Sequence, residues 1–262
     1  GIEWDEGPDT RSGYRQSERI PVYRKYIERL LKEGKAYYCA CTKEILEQER
    51  KAQEQQKRPL RYSGVCRERN ITAEQGQVIR FKIPAGTLEF QDLIRGDISF
   101  NLGLFGDLAI AKNLDTPLYN FAVVVDDQEM KITHVIRGED HIANTPKQIL
   151  VQQALGFKTP KYGHVPLILD PDRSKMSKRF SAVSIEEYRK EGYLPEALFN
   201  FIALLGWHPH GDQEVVTKKE LIKAFTLERV QKAGAILNIE KLKWINQQYI
   251  RQLSVVELKE RL

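Results

Sequence analysis

Four cations fall within seven residues, Arg173-Ser-Lys175-Met-Ser-Lys178-Arg179, with no acid among them. Two lysines flanking Met176 and Ser177 could neutralise a polyphosphate as it gains charge, while the serine hydroxyl and the loop amides donate hydrogen bonds. Composition alone favours a solvated basic loop, since basic runs are common on surfaces. A second group is Cys39-x-Cys41 followed by Cys66. Three thiolates and one further ligand would close a tetrahedral zinc site. Tyr62, four residues before Cys66, or Glu68, two after it, could supply that ligand as an oxygen. The alternative is three free thiols left from a site that lost its metal.

These residues need elements to hold them. Ser17 is suited to cap a helix whose apolar positions are Ile20, Tyr23, Ile27, Leu30 and Leu31, with Gly34 as its stop. Ala36 to Cys41 reads as a strand, and Thr42 caps a charged, exposed helix from Lys43 to Gln56. Val78–Ile83, Thr87–Phe90, Asp97–Asn101 and Leu108–Ala111 are short and often alternating, which predicts a small β-rich module. Leu118 to Val125 fits a helix or a buried strand. Ile132–Ile136, a helix opened by Thr145-Pro146 and closed by Gly156, and Val165–Leu169 together predict a βαβ unit and hence a parallel sheet. The basic run follows that last strand, and open parallel sheets bind ligands beyond the carboxyl ends of their strands. Past Phe180 the pattern is helical. Ser184/Glu187, Thr217/Glu220 and Ser254/Glu257 read as capping boxes, and an apolar helix runs from Pro195 to Gly206.

At 262 residues, with 41% apolar and 29% charged side chains, the composition is that of a globular protein with length enough for one large or two smaller domains. The longest apolar stretches are about five residues, such as Phe121 to Val125, far short of the roughly 18 that span a bilayer. No charged-then-apolar leader is visible. Three cysteines cannot all pair, which points to a reducing, cytoplasmic compartment and excludes a disulfide scaffold. A net charge of +5 permits a polyanionic partner without requiring one. The chain opens Gly1-Ile2-Glu3-Trp4 without methionine, so an internal piece of a longer protein is expected.

Lys175-Met176-Ser177-Lys178-Arg179 resembles the KMSK signature loop of class I aminoacyl-tRNA synthetases. Gly13-Tyr-Arg-Gln-Ser-Glu-Arg19, Leu118-Tyr-Asn-Phe-Ala-Val-Val-Val-Asp-Asp127, Val135-Ile-Arg-Gly-Glu-Asp-His141 and His164-Val-Pro-Leu167 stand in the order and spacing of bacterial glutamyl-tRNA synthetases. The resemblance covers essentially the whole chain. It departs from the family in having neither the amino-terminal His-Ile-Gly-His-like loop nor the anticodon-binding domain, so an internal fragment is expected.

The resemblance implies an α/β fold: a partial Rossmann-type class I catalytic core with a small α+β insertion domain, followed by an α-helical domain. The divisions expected are residues 1–35, 36–113, 114–180 and 181–262. The activity implied is ATP-dependent activation of glutamate to glutamyl-adenylate, then transfer to the terminal adenosine of tRNA(Glu). Lys175 and Lys178 would be catalytic; Asp140, His164, Ile168, Met176 and Ser177 would join them around ATP. Tyr119 and Arg137 would line the glutamate pocket, although Arg137 could instead pair with Glu139 or Asp140. Some members carry an amide where Val123 stands here, so that contact is expected to be missing.

Cys39, Cys41 and Cys66 match zinc ligands of metal-bearing members. The implied partners are ATP, Mg²⁺, glutamate and tRNA, with no membrane, in a monomer. The insertion would cover the tRNA acceptor end. Between Lys43 and Arg69 eight Lys/Arg stand against five Glu, which fits phosphate contacts and a solvated helix equally well. Arg189, Lys190, Lys218, Lys219, Lys241 and Lys243 are candidates for contact with the inner side of the tRNA. Two rivals remain: the paralogue that glutamylates a modified tRNA base, and a non-catalytic, zinc-stapled RNA-binding module.

Overall fold

Helix α1 (Ile20–Lys32) buries Tyr23, Ile27 and Leu30 along one face, as the apolar spacing requires. It does not start from a cap at Ser17. Gln16–Glu18 form a separate 3-10 turn, and Pro21 occupies the first turn of α1, where its missing N–H costs nothing. Strand β1 (Ala36–Cys39) then leads to α2 (Lys43–Gln55), which Thr42 caps and which buries no residue. The structure, a computed structural model, describes residues 4–7, 13–174, 184–209, 211 and 213–261.

The four strands expected after Val78 form as β2 (Val78–Phe81), β3 (Thr87–Asp92), β4 (Gly96–Asn101) and β5 (Leu108–Ala111). They do not close on one another. β1, β2 and β5 make an antiparallel sheet. The β3–β4 hairpin instead joins the sheet of the βαβ unit, where β3 pairs with β7 (Lys161–Val165) in parallel through Asp92 and Tyr162.

Tyr119–Glu129 is helix α3, with Phe121, Ala122, Val124, Val125 and Asp126 buried. β6 (His134–Gly138), α4 (Thr145–Leu155) and β7 form the expected βαβ unit, β6 and β7 lying parallel from His134↔Lys161 to Gly138↔Val165. Gly156 closes α4 at φ +67°, a left-handed conformation that glycine adopts without a Cβ penalty. The expected strand Val165–Leu169 is broken, because Pro166 cannot donate to a ladder. β7 stops at Val165, and β8 (Ile168–Leu169) pairs in parallel with β9 (Ala235–Ile236) as a separate two-stranded sheet. The basic run therefore follows β8, not the strand of the βαβ unit.

The carboxy-terminal part holds α5 (Ile185–Lys190), α6 (Pro195–Gly206), α7 (Lys218–Ala224), α8 (Ile239–Gln252) and α9 (Val255–Arg261). All three capping boxes form, Glu187, Glu220 and Glu257 each accepting from the backbone N–H of the capping residue. One apolar core runs from α1 through β2 and β5 to α3, α4 and Tyr162. A second joins Leu194, Ala197, Leu198, Phe201 and Leu204 to Leu237, Leu242 and Ile245. Among the described residues no helix is long and apolar enough to cross a membrane.

Candidate active site

Arg137 lies near the carboxyl end of β6, beside His164 on β7. Its Nε is 3.3 Å from His164 Nε2, and its Nη2 donates to Thr145 Oγ1 at 2.8 Å. Neither partner is an acid. Glu139, weighed above as a partner, pairs with Arg95 at 2.6 Å and accepts from the Leu167 N–H. Among the described residues no ion pair neutralises Arg137. Tyr119, at the start of α3, is half exposed, and its hydroxyl stands 3.3 Å from His141 Nδ1. Val123 stands one helical turn after Tyr119 on α3.

His164 is 0% exposed and both its ring nitrogens are engaged inside the protein, so the role observed is a satisfied buried one, facing Arg137. Nδ1 is 2.6 Å from Asp92 Oδ2, and Nε2 lies 3.0 Å from Thr145 Oγ1. Burial works against the Asp92 charge, yet donors from Arg95, His164 and Ile94 hold its carboxyl below the usual range. Burial lowers the His164 pKa, and the cations Arg137 and Arg95 add to this while Asp92 opposes it, so the imidazole is neutral at pH 7. On α3 burial raises Asp127 to about 6, although the Arg137 charge pulls the other way.

Asp92 escaped the sequence reading. Its signal was local: Asp92-Leu-Ile-Arg95-Gly96 is a turn between two alternating segments, and an Asp there accepts from the N–H groups of the next residues. Asp140 is exposed in the 3-10 turn after β6. Ile168 is half-buried on β8, paired with Ala235. Lys175, Met176, Ser177 and Lys178 lie outside the described residues. Of the basic candidates on the helices, Lys241 and Lys243 are ion-paired with Glu214 and Glu240; Arg189, Lys190, Lys218, Lys219 and Lys243 are exposed, and Lys218 Nζ lies over the Phe199 ring.

The three cysteines come together although 25 residues separate Cys41 from Cys66. Their sulfurs lie within 4.8 Å of one another and all three residues are buried. Cys41 and Cys66 Sγ are 3.5 Å apart, and the Tyr62 hydroxyl is 3.4 Å from Cys39 Sγ and 3.9 Å from Cys41 Sγ. Of the two oxygens considered, Tyr62 converges on the thiols, while Glu68 is exposed and outside the cluster. Burial raises Cys41 to about 12, and the neighbouring thiols add to this. Cys39 moves down despite its burial, drawn by the Tyr62 hydroxyl and the Arg80 guanidinium. Arg80 is buried and lies 3.9 Å over the Tyr62 ring.

Residues 1–244 match the family model of class I tRNA synthetases (E and Q), catalytic domain. A glutamate–tRNA ligase of Sulfurihydrogenibium sp. (strain YO3AOP1) is 50% identical over 97% of this chain and 55% of its own length. That of Aquifex aeolicus (strain VF5) is 52% identical over 97% of this chain and 54% of its own. The crystal structure of a glutamate tRNA ligase from Elizabethkingia meningosepticum CCUG26117, in complex with its amino acid, superposes with a TM-score of 0.85 at 37% identity. It covers 95% of this chain and 57% of that one. The chain thus spans about half the length of the relatives it matches. With the family match running from the first residue into α8 and the fold shared at a TM-score of 0.85, the chain belongs to the class I tRNA synthetases (E and Q), as part of their α/β catalytic domain.

Proposed function

We propose that this chain is the central part of a glutamate–tRNA ligase, which activates glutamate with ATP and passes it to the terminal adenosine of tRNA(Glu). The observation that carries the reading is Arg137, a guanidinium held by the uncharged partners His164 and Thr145 and, among the described residues, without an acid paired to it. Such a group suits a substrate carboxylate. Tyr119, half exposed, would be its neighbour in the glutamate pocket.

In the first step the α-carboxylate of glutamate attacks the α-phosphorus of ATP. A carboxylate oxygen–phosphorus bond forms as the bond to pyrophosphate breaks. In the second, the 2′-hydroxyl of the terminal adenosine attacks the acyl carbon and adenylate leaves. No covalent enzyme intermediate is needed, so the work is positioning and charge stabilisation. Lys178, with Lys175, would stabilise the departing pyrophosphate, Asp140 and Ile168 would border the nucleotide, and Mg²⁺ would enter on its phosphates. The core halves, residues 1–35 and 114–180, would flank the acceptor-binding insertion, 36–113, and the helices from 181 onward would follow the tRNA stem. The protein would act as a cytoplasmic monomer, a compartment that suits its three free, buried thiols.

The donor set of the thiol cluster fits zinc. Sulfurs 3.5 Å apart with a phenol oxygen at 3.4 Å suit one tetrahedral ion with metal–sulfur distances of about 2.3 Å. Cys39, Cys41, Cys66 and Tyr62 would hold it, and the ion would staple β1 to the loop before β2. Metal analysis of protein purified without chelator is expected to find about one zinc per chain, falling sharply in Cys66→Ser. Charging of tRNA with glutamate by the intact protein tests the central reading. Arg137→Lys, which keeps the charge but loses the fork, should raise the glutamate KM about 10- to 100-fold with the KM for ATP unchanged. An unchanged glutamate KM would remove Arg137 from the pocket.

A further inference from the structure

Asp92 and His164 lie on different strands and no acid or base chemistry has been asked of them, yet they are among the most buried polar groups in the molecule, at 2% and 0% exposure. Asp92 ends β3. Its Oδ1 accepts from the N–H groups of Ile94, Arg95 and His164 at 3.0, 2.9 and 3.2 Å. Its Oδ2 is left for the His164 ring at 2.6 Å. An ionised carboxylate only accepts, so Nδ1 must carry the imidazole proton and Nε2 must present a lone pair. Two groups face that lone pair: Thr145 Oγ1 at 3.0 Å, which can donate or accept, and Arg137 Nε at 3.3 Å, which can only donate.

We propose that Asp92 and His164 are positioning residues that hold the Arg137 guanidinium for a substrate carboxylate by fixing the tautomer of the imidazole. The proposal rests on the reading of Arg137 as the glutamate-binding group. The Nε and Nη2 of a guanidinium share one edge. Here His164 and Thr145 take that edge, and Thr145 Oγ1 is itself anchored on the His141 carbonyl at 3.2 Å. Among the described residues no hydrogen bond takes the other edge, between Nη1 and Nη2, which suits a ligand that brings two oxygens and a negative charge. Because both holding groups are neutral acceptors, Arg137 is oriented without losing the charge a carboxylate needs. The same Asp92 turn sends Arg95 to Glu139, which takes that acid away from Arg137.

Asp92→Asn separates this role from a merely structural one. The Asn carbonyl can keep the three backbone bonds, while its amide replaces Oδ2 and donates to Nδ1. The imidazole proton must then move to Nε2, which can donate to Thr145 Oγ1 but no longer accepts from the Arg137 N–H. The outcome parallels the wrong-tautomer effect of an Asp-to-Asn change behind a catalytic histidine.

The test uses the intact protein with ¹⁵N-labelled histidine rings, the His164 signals identified by their loss in His164→Gln. The wild type should show His164 protonated at Nδ1, and Asp92→Asn should show it at Nε2. The glutamate KM should rise about 10- to 100-fold with the KM for ATP unchanged. His164→Gln, which has no tautomer to set and can turn its amide oxygen to Arg137, should suffer less. Adding Asp92→Asn to it should cost little more, so the two changes are strongly non-additive.

A ring that stays protonated at Nδ1 in Asp92→Asn overturns the proposal. So does a switched ring with an unchanged glutamate KM, provided Arg137→Ala raises that KM. Should Arg137→Ala itself leave glutamate binding intact, the assignment of Arg137 falls first and this inference with it. If Asp92→Asn does not fold, His164→Asn replaces it. That change reaches only Asp92, so its glutamate KM must exceed that of His164→Gln, and the reverse order overturns the proposal.

Discussion

A guanidinium proposed to bind a carboxylate is useful only while no acid has neutralised it, and the described residues around Arg137 meet that condition by position. Glu139 is two residues away in sequence, yet Arg95 holds it 2.6 Å from its own guanidinium. Asp127 is the acid that feels the Arg137 charge, and burial moves it up to about 6. A carboxyl with a folded pKa above its unfolded value of about 3.9 binds protons more tightly in the native state. Stability should therefore fall as pH rises from about 4 to about 6, and level off above that window. Melting temperatures measured from pH 4 to 7.5 should lose this slope in Asp127→Asn; an identical slope would show the carboxyl to be unperturbed. At the basic run, Lys178→Ala in the intact enzyme should slow glutamyl-adenylate formation by roughly 10²–10³-fold, as loss of one preorganised donor does. Near-normal activation would end that assignment.

Between elements, the close approaches matter more than the strands themselves. Gly106 precedes β5, and a Cβ placed there would lie 2.5 Å from the Tyr62 nitrogen and 2.7 Å from its carbonyl oxygen. These are backbone atoms and cannot swing aside. Gly106→Ala should push the Tyr62 segment off the thiols, destabilise the fold by about 1–3 kcal/mol and release zinc faster to a chelator. Unchanged release kinetics would show that Tyr62 is not held at the cluster by this contact. The N-terminal turn is tied in a comparable way: Gln16, Arg19 and Tyr23 all donate to the buried Asp126 carboxylate, at 2.8, 2.7 and 2.7 Å. That convergence fixes where α1 meets α3 more firmly than a cap at Ser17 would.

Among the described residues the two larger apolar cores have no buried residue in common, and short backbone pairings tie β8 to the second of them. Ala235 N donates to Leu167 O at 3.0 Å, and Leu237 N to Leu169 O at 2.9 Å. These bonds link the segment ahead of the basic run to the helical part. Two cores with no buried residue in common should unfold in separable steps. Leu242, at 0% exposure, belongs to the helical core. Leu242→Ala should lower that calorimetric transition by about 2–5 kcal/mol and leave the α/β transition in place. One transition shifting as a unit would show the cores to be cooperative.

The amino-acid sequence determined those features whose causes are local. The face of α1, the three capping boxes, the glycine end of α4 and the βαβ unit follow from periodicity and capping chemistry within a few residues. The segments resembling a known family carried the α/β class, and they are the ground on which Tyr119 and Arg137 are proposed for the site. The fold decided what depends on partners remote in the chain. Tyr119–Glu129 is a helix although its run of valines suits a strand equally well, because its apolar side chains pack against α1, α4 and β5. The β3–β4 hairpin joins β7 rather than the module around it, since Asp92 finds its donors on His164, 72 residues away. Tyr62 rather than Glu68 meets the thiols because the loop folds back beneath Gly106. A carboxylate reads alike in sequence whether it neutralises an arginine or fixes a histidine tautomer; only its position in space tells which.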